Sequence, residues 1–144
     1  MEMNRNASAI WHGGLKDGKG TISTQSAALK DLQYSFGSRF ESGVGTNPEE
    51  LLAAAHAGCF SMALSAQFTE AGLKPETIDT TAVVTLEILK DGGPTITKIH
   101  LTTKVTAPGV DKAKFEELAN NAKTGCPLSK VLKAAEITLD AQLV

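Results

Sequence analysis

The spacing of apolar and polar residues changes character several times along the chain. Ala7–His12 and Lys19–Gln25 are short, β-prone runs on either side of Gly13-Gly14-Leu15-Lys16-Asp17-Gly18, and they predict two strands joined by a turn. Tyr34–Phe40 is expected as a third extended segment. A helix signal follows: Asn47 as N-cap, Pro48 at the first helical position, Glu49 and Glu50 in the first turn. That helix should run to Glu70, with Gly72 as its stop. It carries a small-residue line at Ala54, Gly58, Ser61 and Ser65, and an apolar line at Leu52, Ala55, Cys59, Met62 and Ala66. A helix so apolar all round is expected in the interior, packed on another helix.

Beyond it, Thr77–Leu89 and Thr95–Thr106 alternate apolar and polar positions and are rich in β-branched residues. With Lys90-Asp91-Gly92-Gly93-Pro94 between them they predict a β-hairpin. Pro108-Gly109-Val110-Asp111 breaks the chain and caps a helix over about Lys112–Lys123, with Phe115, Leu118, Ala119 and Ala122 on one face. Gly125 ends it, Cys126-Pro127 opens a short helix to about Lys133, and Glu136–Val144 is a closing strand. This order predicts an α+β fold with an antiparallel sheet rather than repeated βαβ units. No repeat or linker interrupts it, and 144 residues suit a single domain, 1–144.

Composition narrows the function. Fourteen basic residues stand against 16 acidic ones, and only Arg5 and Arg39 are arginines. Such a balance gives no basic field for phosphates, so nucleic acid is not the expected partner. The N-terminal residues lead into no apolar core of a signal peptide, and the apolar stretch Leu51–Phe68 is interrupted by His56, Ser61, Ser65 and Gln67. The expectation is a cytoplasmic protein that does not enter the membrane. In that compartment two cysteines point to catalysis or redox sensing rather than to a structural staple.

Cys59 lies midway along the central helix and on local grounds is either a small buried hydrophobe or a thiol awaiting a cation, because burial raises a thiol pKa. Cys126 precedes a proline at a helix start, where free N–H groups favour a thiolate, so local physics alone makes it the more ionised of the two. Arg39 is the best available cation, with a fork that a carboxylate such as Glu49 can hold, although a surface arginine and a helix-start carboxylate look the same in sequence. His56 and Cys59, spaced i, i+3, could face a zinc ion with Cys126, His12 or His100 completing the set, but no C-x-x-C or H-x-x-x-H pair supports it. A core histidine satisfied by hydrogen bonding is the simpler reading of His56. Neither a phosphate-binding glycine loop nor a G-x-S-x-G elbow is present, and Ser23, Ser26 and Ser129 have no marked histidine and acid partners.

Two longer motifs add to this. Arg39-Phe40-Glu41 precedes Gly45-Thr46-Asn47-Pro48-Glu49-Glu50-Leu51-Leu52, which runs into Ala53-Ala54-Ala55-His56-Ala57-Gly58-Cys59-Phe60-Ser61-Met62. Later come Ala122-Lys123-Thr124-Gly125-Cys126-Pro127-Leu128-Ser129 and Glu136-Ile137-Thr138-Leu139. In this order they resemble the OsmC/Ohr family (osmotically inducible protein C and organic hydroperoxide resistance protein), over essentially the whole chain and closest to the OsmC branch. The resemblance implies antiparallel sheets packed around the long helix, an intertwined homodimer, and a peroxidase that reduces organic hydroperoxides without metal or organic cofactor. By position Cys59 matches the peroxide-reacting cysteine and Cys126 the resolving cysteine, so that a Cys59–Cys126 disulfide is implied. Arg39 and Glu49 match the OsmC branch's arginine and its carboxylate partner, whereas the Ohr branch's N-terminal arginine has only Lys16 and Lys19 to correspond to it. Recycling by an external dithiol is implied, with lipoylated proteins as the reductant suggested by the Ohr branch.

Glu49 precedes Cys59 by ten residues, ~15 Å along one continuous helix. Their cooperation therefore requires a later helix start, a bend, or a meeting across a dimer interface. A non-catalytic module of the same fold, holding a lipid-like or thiol ligand in an apolar groove, is the alternative function.

Overall fold

The computed structural model describes all 144 residues, Met1–Val144. They form two compact units, Met1–Leu51 and Leu52–Val144. The architecture is α+β, with two three-stranded sheets and one long helix.

In the first unit, β1 (Ala7–His12), β2 (Lys19–Thr24) and β3 (Leu32–Ser35) pair antiparallel in that order. Gly20 faces Trp11 on one side and Tyr34 on the other. A Cβ there would lie 2.5 Å from the Tyr34 ring and 2.3 Å from the Ile10 carbonyl, so glycine lets the two rings close to 5.3 Å between centroids. The extended segment expected over Tyr34–Phe40 stops at Ser35, and Phe36–Phe40 forms a short helix, α1. The reason is local. Ser35 Oγ accepts the Ser38 N–H at 3.1 Å and Ser38 Oγ accepts the Ser35 N–H at 2.9 Å, a reciprocal capping pair that outcompetes strand pairing.

Helix α2 (Pro48–Glu70) begins as its sequence predicts, with Asn47 Oδ1 accepting the Glu50 N–H at 2.9 Å. It ends in a Schellman arrangement. Gly72, at φ +70°, donates to the Thr69 carbonyl at 3.0 Å, and Leu73 donates to the Phe68 carbonyl at 2.8 Å.

In the second unit, β4 (Thr77–Leu89) and β5 (Gly93–Thr106) form the expected antiparallel hairpin. The closing strand β6 (Glu136–Leu143) adds to β5 in parallel, Ile99 opposite Ile137, which corrects the expectation of a wholly antiparallel sheet. The connection explains it: the chain crosses back through α3 (Lys112–Gly125) and α4 (Pro127–Val131) before re-entering the sheet, and such a crossover delivers a parallel neighbour. Asp111 caps α3 by accepting the Lys114 N–H at 2.9 Å, and the predicted face Phe115, Leu118, Ala119 and Ala122 is buried.

The core of this unit joins that face to Phe60, Leu64 and Phe68 of α2 and to Leu101 and Val105 of β5. The line of α2 that faces the core is therefore His56-Phe60-Leu64-Phe68, not either line expected from the sequence. The two phenylalanines and the leucine carry the largest apolar area on the helix, so they take the one face that has a partner. On the other side Ala54, Ala55, Gly58, Ser65 and Ala66 are exposed, and Met62 is 77% exposed. Within one chain the helix is thus not buried all round, although its length and composition would suffice to span a membrane.

Candidate active site

Cys59 is presented by the middle of α2 and Cys126 by the junction of α3 and α4, where its backbone ends one helix and starts the next. Their sulfurs are 2.8 Å apart and both thiols are free. Cys126 is fully buried and Cys59 is half-buried, so Cys59 is the more accessible of the two.

Burial pushes the Cys59 thiol above its ordinary value, and the contact with Cys126 pushes it further in the same direction. A hydrogen bond from the Leu128 backbone N–H acts the other way, by stabilising the thiolate. The free N–H of α4 thus serves Cys59 as well as lying beside Cys126. Sequence reading did not identify Leu128, because a backbone donor leaves no side-chain signature.

His56, one turn before Cys59, is fully buried, and its Nε2 lies 2.8 Å from Ser129 Oγ. The expected core histidine is therefore satisfied on one nitrogen, while Nδ1 has no partner. Desolvation holds its pKa below 6.5, so the ring is neutral at pH 7. Ser129, which showed no marked partner in the sequence, acquires one from 73 residues away. No three His, Cys, Asp or Glu side chains converge, and His100 is instead bonded to Thr138 at 2.6 Å.

Arg39 and Glu49 come together in the first unit. Nη2 donates to Oε1 at 2.7 Å, and Nε donates to both carboxylate oxygens at 3.2 Å. The partners are fixed from behind: Ser38 Oγ donates to the Thr46 carbonyl at 2.7 Å, and Asn47 Nδ2 donates to the Ser38 carbonyl at 3.0 Å. These bonds tie α1, which carries Arg39, to the start of α2, which carries Glu49. The guanidinium also lies 5.1 Å from the centroid of the Phe40 ring. Beside it is a cavity of about 300 Å³ lined by Trp11, Tyr34, Phe36, Phe40 and Pro48 among others. Lys16 and Lys19 are exposed and pair with no carboxylate.

The chain is similar to known proteins along its whole length. Residues 40–141 match the family model described as OsmC-like protein. The chain is 53% identical over 143 residues to Peroxiredoxin OsmC of Escherichia coli, covering 99% of each. It is 36% identical over 93 residues to the organic hydroperoxide resistance protein OhrB of Bacillus subtilis, covering 65% of this chain and 66% of that one. The crystal structure of OhrB superposes with a TM-score of 0.67 at 28% identity, covering 96% and 98% of the two chains.

Proposed function

The chain belongs to the OsmC family, and from that premise we propose that it is a thiol-dependent peroxidase that reduces organic hydroperoxides to alcohols. The observation that carries the proposal is the pair of free thiols, 2.8 Å apart, one of them accessible. The names of the relatives, a peroxiredoxin and an organic hydroperoxide resistance protein, point the same way.

In this reading the Cys59 thiolate attacks the outer oxygen of the hydroperoxide. An S–O bond forms, the O–O bond breaks, and the alkoxide leaves as alcohol after taking a proton. Cys59 becomes a sulfenic acid. Cys126 then displaces its oxygen as water and the Cys59–Cys126 disulfide forms. An external dithiol reopens it by exchange, with a lipoylated protein as the proposed donor.

Burial disfavours the Cys59 thiolate, and a cation brought to it would offset that cost beyond what the Leu128 N–H supplies. Arg39, its fork held by Glu49, is the proposed source: it would stabilise the thiolate and the charge growing on the leaving oxygen. The aromatic cavity beside Arg39 supports an organic substrate, since burying apolar area contributes ~25 cal/mol per Å². No metal or organic cofactor enters this scheme.

An intertwined homodimer is part of the proposal. The exposed small and apolar face of α2, with Met62 at its centre, suits burial against a second copy. A helix that starts as early as Pro48 also favours Glu49 serving the Cys59 of the other copy. We read the long helix as a core and interface element of a cytoplasmic protein, not as a membrane span, because Phe60, Leu64 and Phe68 are already buried by the chain itself. The family match crosses both compact units, which supports treating residues 1–144 as a single OsmC-like domain.

The test is to mix reduced protein with one equivalent of cumene hydroperoxide and follow thiols and intact mass. Both thiols should disappear, with a Cys59–Cys126 bridge in the peptide map. Cys59→Ser should consume no peroxide, while Cys126→Ser should complete one turnover and fail to recycle with dithiols. The opposite pattern would reverse the two roles, and two surviving thiols in folded protein would favour the non-catalytic binding module.

A further inference from the structure

Helices α2 and α4 touch through two side-chain pairs in register. His56 meets Ser129 and, one turn along each helix in opposite directions, Cys59 meets Cys126. Helix α4 has five residues, its N-cap makes no side-chain capping bond, and Ser129 is its one buried side chain. Val131, the apolar residue at its other end, is 73% exposed. Leu128 is half-buried, so apolar contact also seats α4, and the buried Ser129 hydroxyl adds a directional bond to His56.

The histidine itself carries a cost that an apolar residue would avoid. Its Nδ1 is buried without a partner, and an unpaired polar atom in the interior is unfavourable. With its proton on Nε2 the neutral ring donates to Ser129 Oγ, and with its proton on Nδ1 it accepts from the Ser129 hydroxyl; in both tautomers Nδ1 is left without a partner. The one side-chain hydrogen bond of the His56 ring is the one to Ser129.

We propose that His56 and Ser129 form a positioning pair that holds Cys126 against Cys59 for disulfide closure. The role in turnover rests on the peroxidase reading above. In closure, the Cys126 sulfur bonds to the sulfenic sulfur of Cys59, the S–O bond breaks, and the hydroxyl leaves with the Cys126 proton as water. Cys126 is oxidised and the sulfenic sulfur is reduced, so the step needs no further reagent. Its competitor is a second peroxide, which converts the sulfenic acid to a sulfinic acid. Holding the thiol in contact raises its effective concentration and favours closure. Neither residue touches the peroxide in this scheme.

The first measurement needs no peroxide: the Cys59–Cys126 disulfide is equilibrated with glutathione buffers in full-length protein. Ser129→Ala and His56→Leu should each shift the equilibrium at least tenfold toward the dithiol, about 30 mV. The double variant removes both polar groups and leaves no orphaned hydroxyl, so it is the most secure to fold, and its shift should be no larger than either single one. His56→Gln, which keeps an N–H within reach of Ser129, should recover most of the parent value. The second measurement traps sulfenic acid with dimedone after one equivalent of cumene hydroperoxide. The adduct should accumulate in Ser129→Ala and His56→Leu, with closure slowed at least ten times more than loss of the Cys59 thiol.

An unshifted glutathione equilibrium in the folded double variant overturns the proposal, as does His56→Gln behaving like His56→Leu. A parent protein inert to the hydroperoxide whose variants still shift the glutathione equilibrium would remove the peroxidase reading and keep the positioning pair. A reactive parent with unshifted variants would do the reverse.

Discussion

Arg39 grips Glu49 through three hydrogen bonds, the shortest 2.7 Å, across ten residues of sequence. The Arg39 side chain is 36% exposed and that of Glu49 11%, so the pair is neither a loose surface contact nor a sealed core pair. The two other ion pairs, Lys112–Glu116 and Lys114–Glu117, sit on the exposed side of α3 and contribute little. Arg39→Lys keeps the charge but loses the planar fork and should slow oxidation of Cys59 by about 10²–10³-fold. Glu49→Gln should slow it less, because the guanidinium remains. Rapid mixing with cumene hydroperoxide, read by loss of the Cys59 thiol, measures both, and an Arg39→Lys rate equal to the parent's would remove Arg39 from the mechanism.

The Cys59 thiol is raised by burial and by Cys126, with only the Leu128 N–H opposing. A raised thiol pKa means that reactivity keeps climbing as pH increases past the ordinary thiol range. In Arg39→Ala that environment acts alone, and the pH midpoint for alkylation of Cys59 by iodoacetamide should lie above that of a free cysteine. The parent midpoint should be lower by the contribution of the guanidinium. Coincident profiles would show that Arg39 does not reach the thiol.

Met62 is 77% exposed at the centre of the small-residue face of α2. Placing a carboxylate there with Met62→Glu buries an unpaired charge if a second copy covers the face, at a cost of about 3–5 kcal/mol. The dimer dissociation constant should rise by about 10²-fold or more. Sedimentation velocity across a concentration series reads this directly, and an unaltered distribution would place the dimer contact elsewhere.

His56 has its pKa lowered from 6.5 by desolvation. As pH falls below 6.5 the unfolded chain takes up the proton first, so the stability that His56 contributes is full above that value and is lost as pH falls toward the native pKa. Urea titrations between pH 7.5 and 5 should show this decline in the parent and a flatter profile in His56→Gln. Equal slopes in the two proteins would mean that His56 is not the group responsible.

Much of the fold was legible because it is encoded locally. Asn47-Pro48-Glu49-Glu50 starts α2, Gly72 stops it, and Asp111 starts α3, each through bonds spanning a few residues. The β4–β5 hairpin and the buried face of α3 follow from periodicity, which is also local. The motifs around Cys59 and Cys126 identified the family, since residue order along the chain carries that information. The extended segment expected over Tyr34–Phe40 gave way after Ser35 to the Ser35–Ser38 capping pair, itself visible as two serines three apart.

What the tertiary structure decided is what depends on partners distant in sequence. The direction of β6 follows from a crossover rather than from its own residues, and no pattern within Glu136–Leu143 distinguishes a parallel from an antiparallel neighbour. Three faces of α2 are apolar enough to be buried, and the supply of sheet and helix partners selected the line of Phe60, Leu64 and Phe68. The 2.8 Å approach of Cys59 to Cys126 spans 67 residues, and that of His56 to Ser129 spans 73. The sequence by itself determined which residues could act and where each helix and hairpin lies. Packing decided which residues meet, because contact between distant segments depends on how whole elements dock, and no single residue's neighbours along the chain encode that.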